Sequence, residues 1–192
     1  MCTRWDRADL RLHEMAIAMD KGSARGFSLL EVLVATTIAI VAIAGLAQFA
    51  AIGATANRRA RLATLAAVLA QQKMEQLRAL TWAFDVDGQP VTDQTSDVSI
   101  SPEQAGGTGL GPSAADSLER NTSGACDFLD GRGRWIGAGA TPPAQTVYVR
   151  RWNVAPLVSS PDRTLVVQVA VFAYPGVSPL VRLVALRTRT VP

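Results

Sequence analysis

The chain has 192 residues, 48% of them hydrophobic, and a formal net charge of +3. That length suits one domain with accessories. The small positive excess is not a nucleic-acid signature, since no window packs Lys and Arg with interleaved aromatics. Two cysteines and one histidine, His13, leave little material for metal or nucleophile chemistry.

Five basic residues, Arg4, Arg7, Arg11, Lys21 and Arg25, precede a Gly-Phe junction at Gly26 and Phe27. An apolar segment starts there and carries one early carboxylate, Glu31. From Val32 to Asn57, 26 residues contain neither a charge nor a proline. As a helix this run covers ~39 Å, more than the ~30 Å hydrocarbon core of a bilayer. A secretory signal has an apolar region of only ~7 to 15 residues. Glu31 is foreign to a plain anchor, because a carboxylate at mid-bilayer costs ~2.5 to 3.5 kcal/mol and less near the interface. A positive partner inside a low-dielectric assembly would offset that cost.

The stretch "RGFSLLEVLVATTIAI", residues 25–40, resembles the type IV prepilin signature, with cleavage site, aromatic and carboxylate in register. The resemblance implies that residues 1–26 are a leader, cut after Gly26 by a prepilin peptidase on the cytoplasmic face. Phe27 then becomes an N-methylated N-terminus, and Glu31 pairs with the N-terminal amine of a neighbouring subunit. Residues 27–57 become a transmembrane and assembly helix. Gln48 stands where many major pilins carry a proline. Gly45 and the Thr36-Thr37 pair offer other ways to soften the helix, or are small residues at a packing face. Met19 is a second possible start, with the leader "MDKGSARG", and both starts preserve the cut. Arg58, Arg59 and Arg61 follow the span closely, so the charge count does not orient it. The processing signature does, with a cytoplasmic leader, a span in the bacterial inner membrane and a periplasmic head.

Residues 58–82 read as an amphipathic continuation of the helix, since neither proline nor glycine occurs from Ala54 to Asp87. Leu62, Leu65, Ala66, Leu69, Leu77 and Leu80 form one stripe, the pattern of a helix covering a core. Lys73 and Gln76 interrupt it, which predicts partial packing there.

Residues 83–144 are rich in Gly, Ser, Asp and Pro and read as a loop region of the head, with short strands around residues 97–101 and 134–137. So long a segment is expected to pack over a sheet. Residues 145–192 carry three strand patterns, 146–154, 164–174 and 179–190, separated by "PLVSSPD" and "PGVSP". Val167, Val169 and Val171 share a face. Short connections predict an antiparallel meander. The fold class is α+β, pilin-like: a long N-terminal helix packed on a C-terminal antiparallel sheet. "YVRRWNV" with "LVVQVAVF" is similar to minor pilins of the pilus-modification type. The same layout with "LAQQKMEQLRAL" on the helix also resembles a minor pseudopilin of type II secretion.

Candidate chemistry is sparse. A mature chain beginning at Phe27 has no histidine, so a Ser-His-Asp triad or a His-containing metal site is excluded. Cys126 would be its single thiol, structural or merely exposed, with no internal disulfide possible. "DVDG" at 85–88 reads as a turn, lacking the further acidic ligands of a calcium loop. Asp127 and Asp130 read as loop caps. The expected function is structural: a minor pilin-like subunit without enzymatic activity, cofactor or metal. Its partners would be the prepilin peptidase, the inner membrane and other pilins or pseudopilins. The rival class is a membrane-anchored extracytoplasmic binding module using the long loop region.

Overall fold

The computed structural model describes residues 26–190. Residues 1–25, with Cys2, His13 and Met19, lie outside the described residues. The chain divides into two compact units, residues 1–53 and 54–192.

A single helix, α1 (Leu29–Ala79, 51 residues), supplies the described part of the first unit and opens the second. Ser28 caps its start: the Leu30 N–H donates to Ser28 Oγ at 3.1 Å. The Thr36 hydroxyl donates to the carbonyls of Val32 (2.8 Å) and Leu33 (2.9 Å), and Thr37 donates to Leu33 O (2.8 Å). The helix continues unbroken through these threonines and through Gly45, so none of them ends it.

Within the second unit, α1 acquires a buried stripe of Ala66, Leu69, Ala70, Lys73, Met74 and Leu77. Its spacing is three and four residues, as one helical face requires. The helix stops at Ala79, and Trp82 already opens a strand. Its last carbonyls are satisfied from the sheet: Arg187 donates to Leu77 O at 2.9 Å and also to Leu80 O.

The stripe covers a five-stranded antiparallel sheet of order β6-β5-β7-β8-β9. Its strands are β5 (Cys126–Leu129), β6 (Trp135–Ala138), β7 (Tyr148–Pro156), β8 (Thr164–Ala173) and β9 (Pro179–Thr188). Two short hairpins precede it, β1 (Trp82–Phe84) with β2 (Pro90–Thr92) and β3 (Ser96–Asp97) with β4 (Gln104–Ala105). Alternation sets the two faces of the large sheet. Tyr148, Trp152, Val154, Leu165, Val167, Val169 and Val171 join the helix stripe in the main core. Cys126, Phe128, Val149, Ala170 and Phe172 form a smaller core on the other face with Leu118. The segment around 114–121 is tied over that face. Arg151 donates to Leu118 O (3.2 Å), Glu119 O (2.7 Å) and Asn121 Oδ1 (2.9 Å), and Asn153 donates to Ala114 O (3.1 Å) and Ser117 Oγ (3.0 Å).

The three C-terminal strands lie within two residues of their sequence-based bounds, and the meander is as expected. In the loop region, the short strand expected around 134–137 is β6, while β5 was not expected; both join the main sheet, and all four residues of β5 are buried. Packing at Lys73 is corrected too. It is fully buried, because its ammonium is satisfied on every side. Lys73 Nζ lies 3.0 Å from Asp127 Oδ2, donates to Val98 O (2.5 Å) and Gln76 Oε1 (2.8 Å), and sits 4.4 Å from the Trp152 ring centroid. Asp127 is not a loop cap. Its carboxylate accepts two bonds from Arg150, at 2.9 and 2.7 Å, while Arg150 also donates to Leu69 O on α1 at 2.9 Å. Lys73, Asp127 and Arg150 thus bind the helix to the sheet through charge as well as apolar contact. Burial lowers the Lys73 pKa from 10.5 to about 8 despite the adjacent Asp127 carboxylate.

Asp130 does cap a turn. It accepts from the backbone N–H groups of Arg132 and Arg134, both at 2.9 Å, and from Arg134 Nε at 2.8 Å. That β5–β6 turn touches α1. Gly133 has φ +79°, so the backbone shape calls for glycine, and the Leu69 Cδ2 methyl lies 2.9 Å from where a Cβ would stand.

Candidate processing and assembly site

Gly26, Phe27 and Glu31 lie together at the N-terminal end of α1. Gly26 precedes the helix, and a Cβ built on it meets nothing within 4 Å. The folded chain therefore makes no steric demand for glycine here, and any such demand comes from whatever binds the junction. Phe27 is 80% exposed, with no core to occupy. Glu31 falls in the first helical turn, where unpaired backbone N–H groups favour a negative charge.

Phe27, Glu31, Ala35 and Ala39 follow one another at four-residue spacing, and with Val32 and Thr36 they line a shallow groove along the helix. The small side chains at 35, 36 and 39 permit close approach of another helix. The Thr36 hydroxyl is already committed to its own backbone. Glu31 is thus the one ionisable group lining the groove, and among the described residues no Lys or Arg lies within ion-pair distance of it.

Beyond this end the helix surface is apolar and uncovered. Leu29 is 91% exposed, Phe49 75% and Ile52 66%. An 18-residue window of α1 has a mean hydropathy of 2.4, long and apolar enough to cross a membrane. So much exposed apolar area demands lipid or like helices as cover.

The other candidate residues resolve as local structure. Asp85 Oδ1 accepts from the backbone N–H groups of Asp87 (3.0 Å) and Gln89 (2.7 Å), so its carboxylate shapes the "DVDG" turn. Cys126 is a free thiol and fully buried, with Sγ donating to Asn121 Oδ1 at 3.6 Å. Burial pushes its pKa up to about 12, which keeps it in the unreactive thiol form. The Lys73–Asp127–Arg150 cluster had no local sequence signal. A charged residue within a helical apolar stripe was its one trace.

Residues 21–47 match the prokaryotic N-terminal methylation motif, the type IV prepilin-like signal. No curated protein and no solved structure matches the chain. The motif supports a type IV pilin-like or pseudopilin subunit, and it implies a structural role with processing by prepilin peptidase and assembly with other pilins.

Proposed function

We propose that the protein is a minor pilin of a type IV pilus, without enzymatic activity. It is cut after Gly26, methylated on Phe27, and assembled through its N-terminal helix. The observation that carries this reading is the methylation motif at residues 21–47, with Gly26, Phe27 and Glu31 in register within it. The sequence of events follows from the chemistry. The precursor rests in the inner membrane with its leader in the cytoplasm and its head in the periplasm. Cleavage frees the α-amine of Phe27. Glu31 of an incoming subunit pairs with that amine on a neighbour, and the pair is stable only where both are withdrawn from water together. The exposed apolar surface of α1 then exchanges lipid for neighbouring helices. The head stays outside this helical core. A type II secretion pseudopilus is the second machine, supported by the "LAQQKMEQLRAL" segment of α1, and would use the same steps.

Glu31→Val tests the docking role. Removing a charge from the span eases insertion, so membrane fractions should hold as much processed protein as wild type or more. Crosslinked capture of a partner pilin should fall at least about tenfold, the equivalent of ~1.4 kcal/mol. Unchanged capture by a processed, inserted variant would overturn the docking role and leave Glu31 a tolerated interfacial charge.

A further inference from the structure

A second site is built on the head, on the sheet face opposite α1. A cleft of about 410 Å³ opens there between the 114–121 segment and the start of β9. Strand register defines its floor. Arg151 on β7 pairs with Ala170 on β8, and Ala170 pairs with Arg182 on β9. The two arginines therefore flank one small residue across three strands, their Cα atoms ~10 Å apart at the usual strand spacing. Phe172 and Val177 give the cleft apolar surface, and Gln168 gives it a polar end.

Its charges are unbalanced. Arg150, one residue from Arg151, has Asp127 as its counter-charge on the other face. Arg151 has none. It stacks 4.5 Å from the Phe172 ring centroid and donates to neutral oxygens, two carbonyls and the Asn121 amide oxygen. Arg182 donates to the neutral Gln168 Oε1. Among the described residues neither arginine has an ion-pair partner, and the one carboxylate lining the cleft, Glu119, is unpaired. Two guanidinium groups against one carboxylate leave a single positive charge beside an apolar wall. Guanidinium forks match carboxylates in geometry, and a partly buried arginine gains most from such a partner.

We propose that this cleft binds a carboxylate attached to an apolar group, held by Arg182 and Arg151 with its apolar part against Phe172 and Val177. The volume is at the small end of ordinary ligand sites, room for one terminal residue of a peptide or one small organic acid. Because the main core and α1 lie on the other face, occupancy leaves the helix face free.

The test is calorimetric titration of the full chain in detergent micelles with three probes. These are N-acetyl-Ala-Ala-Phe with a free carboxylate, the same peptide as its C-terminal amide, and benzoate. At least one carboxylate probe should bind with Kd below ~1 mM, and the amide should not. Binding of the peptide acid alone identifies a chain terminus as the carboxylate source. Benzoate alone identifies a small organic acid, and binding of both identifies the carboxylate itself as sufficient. Arg182→Gln, an exposed change that leaves the melting curve in place, should weaken binding at least about tenfold. Arg78→Gln, an exposed change on α1 and so on the opposite face of the sheet, should leave it unchanged. Absence of binding by both acids, equal binding of acid and amide, or binding indifferent to Arg182→Gln would overturn the site.

Discussion

Replacing Asp127 by asparagine removes one negative charge from between two buried positive ones. In the native head the Asp127 carboxylate lies 3.0 Å from Lys73 Nζ and 2.7 Å from the nearest Arg150 nitrogen, with all three residues buried. Asparagine keeps the shape and one acceptor oxygen, but leaves two cations without a counter-charge. Breaking a buried pair this way costs ~3 to 5 kcal/mol. Lys73→Met acts in the opposite sense. It removes the surplus cation and keeps the Arg150 fork on Asp127. The cost is the bonds to Val98 O and Gln76 Oε1, ~1 to 3 kcal/mol in all, offset by no longer burying an ammonium. The single Lys73→Met change should therefore shift stability by only ~1 kcal/mol. In the Asp127→Asn background the same change should restore stability, since it removes one of two repelling charges. Urea unfolding of the full chain in detergent micelles, followed by tryptophan fluorescence, measures all four corners of the cycle. Trp152 beside Lys73 is a local reporter. Two single variants of equal cost, adding without coupling in the double variant, would refute the charge argument and leave the cluster as ordinary packing.

Two further predictions concern titration and reactivity. The Lys73 pKa is about 8 in the folded head against 10.5 for the free side chain, so protonated Lys73 penalises folding below pH 8 and the penalty is relieved as pH rises toward 10.5. Stability should thus rise by ~1 kcal/mol from pH 7 to 9. Cys126 opposes this above pH 9, since its thiol ionises at 9.0 when unfolded and about 12 when folded, so the rise is measured cleanly in Cys126→Ala. A flat profile in Cys126→Ala, or a rise that persists in Cys126→Ala with Lys73→Met, would contradict the assignment to Lys73. Native Cys126 should resist maleimide and react at once in urea, because the folded thiol is fully buried; rapid native labelling would show that β5 opens.

What the sequence disclosed was short-range. The Gly26–Phe27 junction, the charge at Glu31 and the apolar run are each read from contiguous sequence, and so are the alternating patterns of β7, β8 and β9. The helix stripe at Leu69 and Leu77 is periodic and was visible for the same reason. What it hid depends on distant pairing. "CDFL" at β5 is only four residues long, lies among turn residues and has an aspartate in its middle. Only pairing with β6 on one side and β7 on the other makes it an interior strand. Lys73 looked like a break in the stripe because its acceptors, Asp127 and Val98 O, lie on other elements. The cleft required the register that aligns Arg151, Ala170 and Arg182.

The central claim is that Glu31 and the apolar helix belong to a processed assembly subunit, and the N-terminal residue decides it most directly. Mass spectrometry of the N-terminal peptide from purified membrane and filament fractions should find a chain beginning at Phe27 and carrying one added methyl group on its amine. Gly26→Leu should leave the leader attached, although the folded chain has open space at that position, because the demand for glycine would come from the peptidase. An unmodified chain still beginning at Met1 or Met19 in those fractions, or a Gly26→Leu chain still cut before Phe27, would contradict the account.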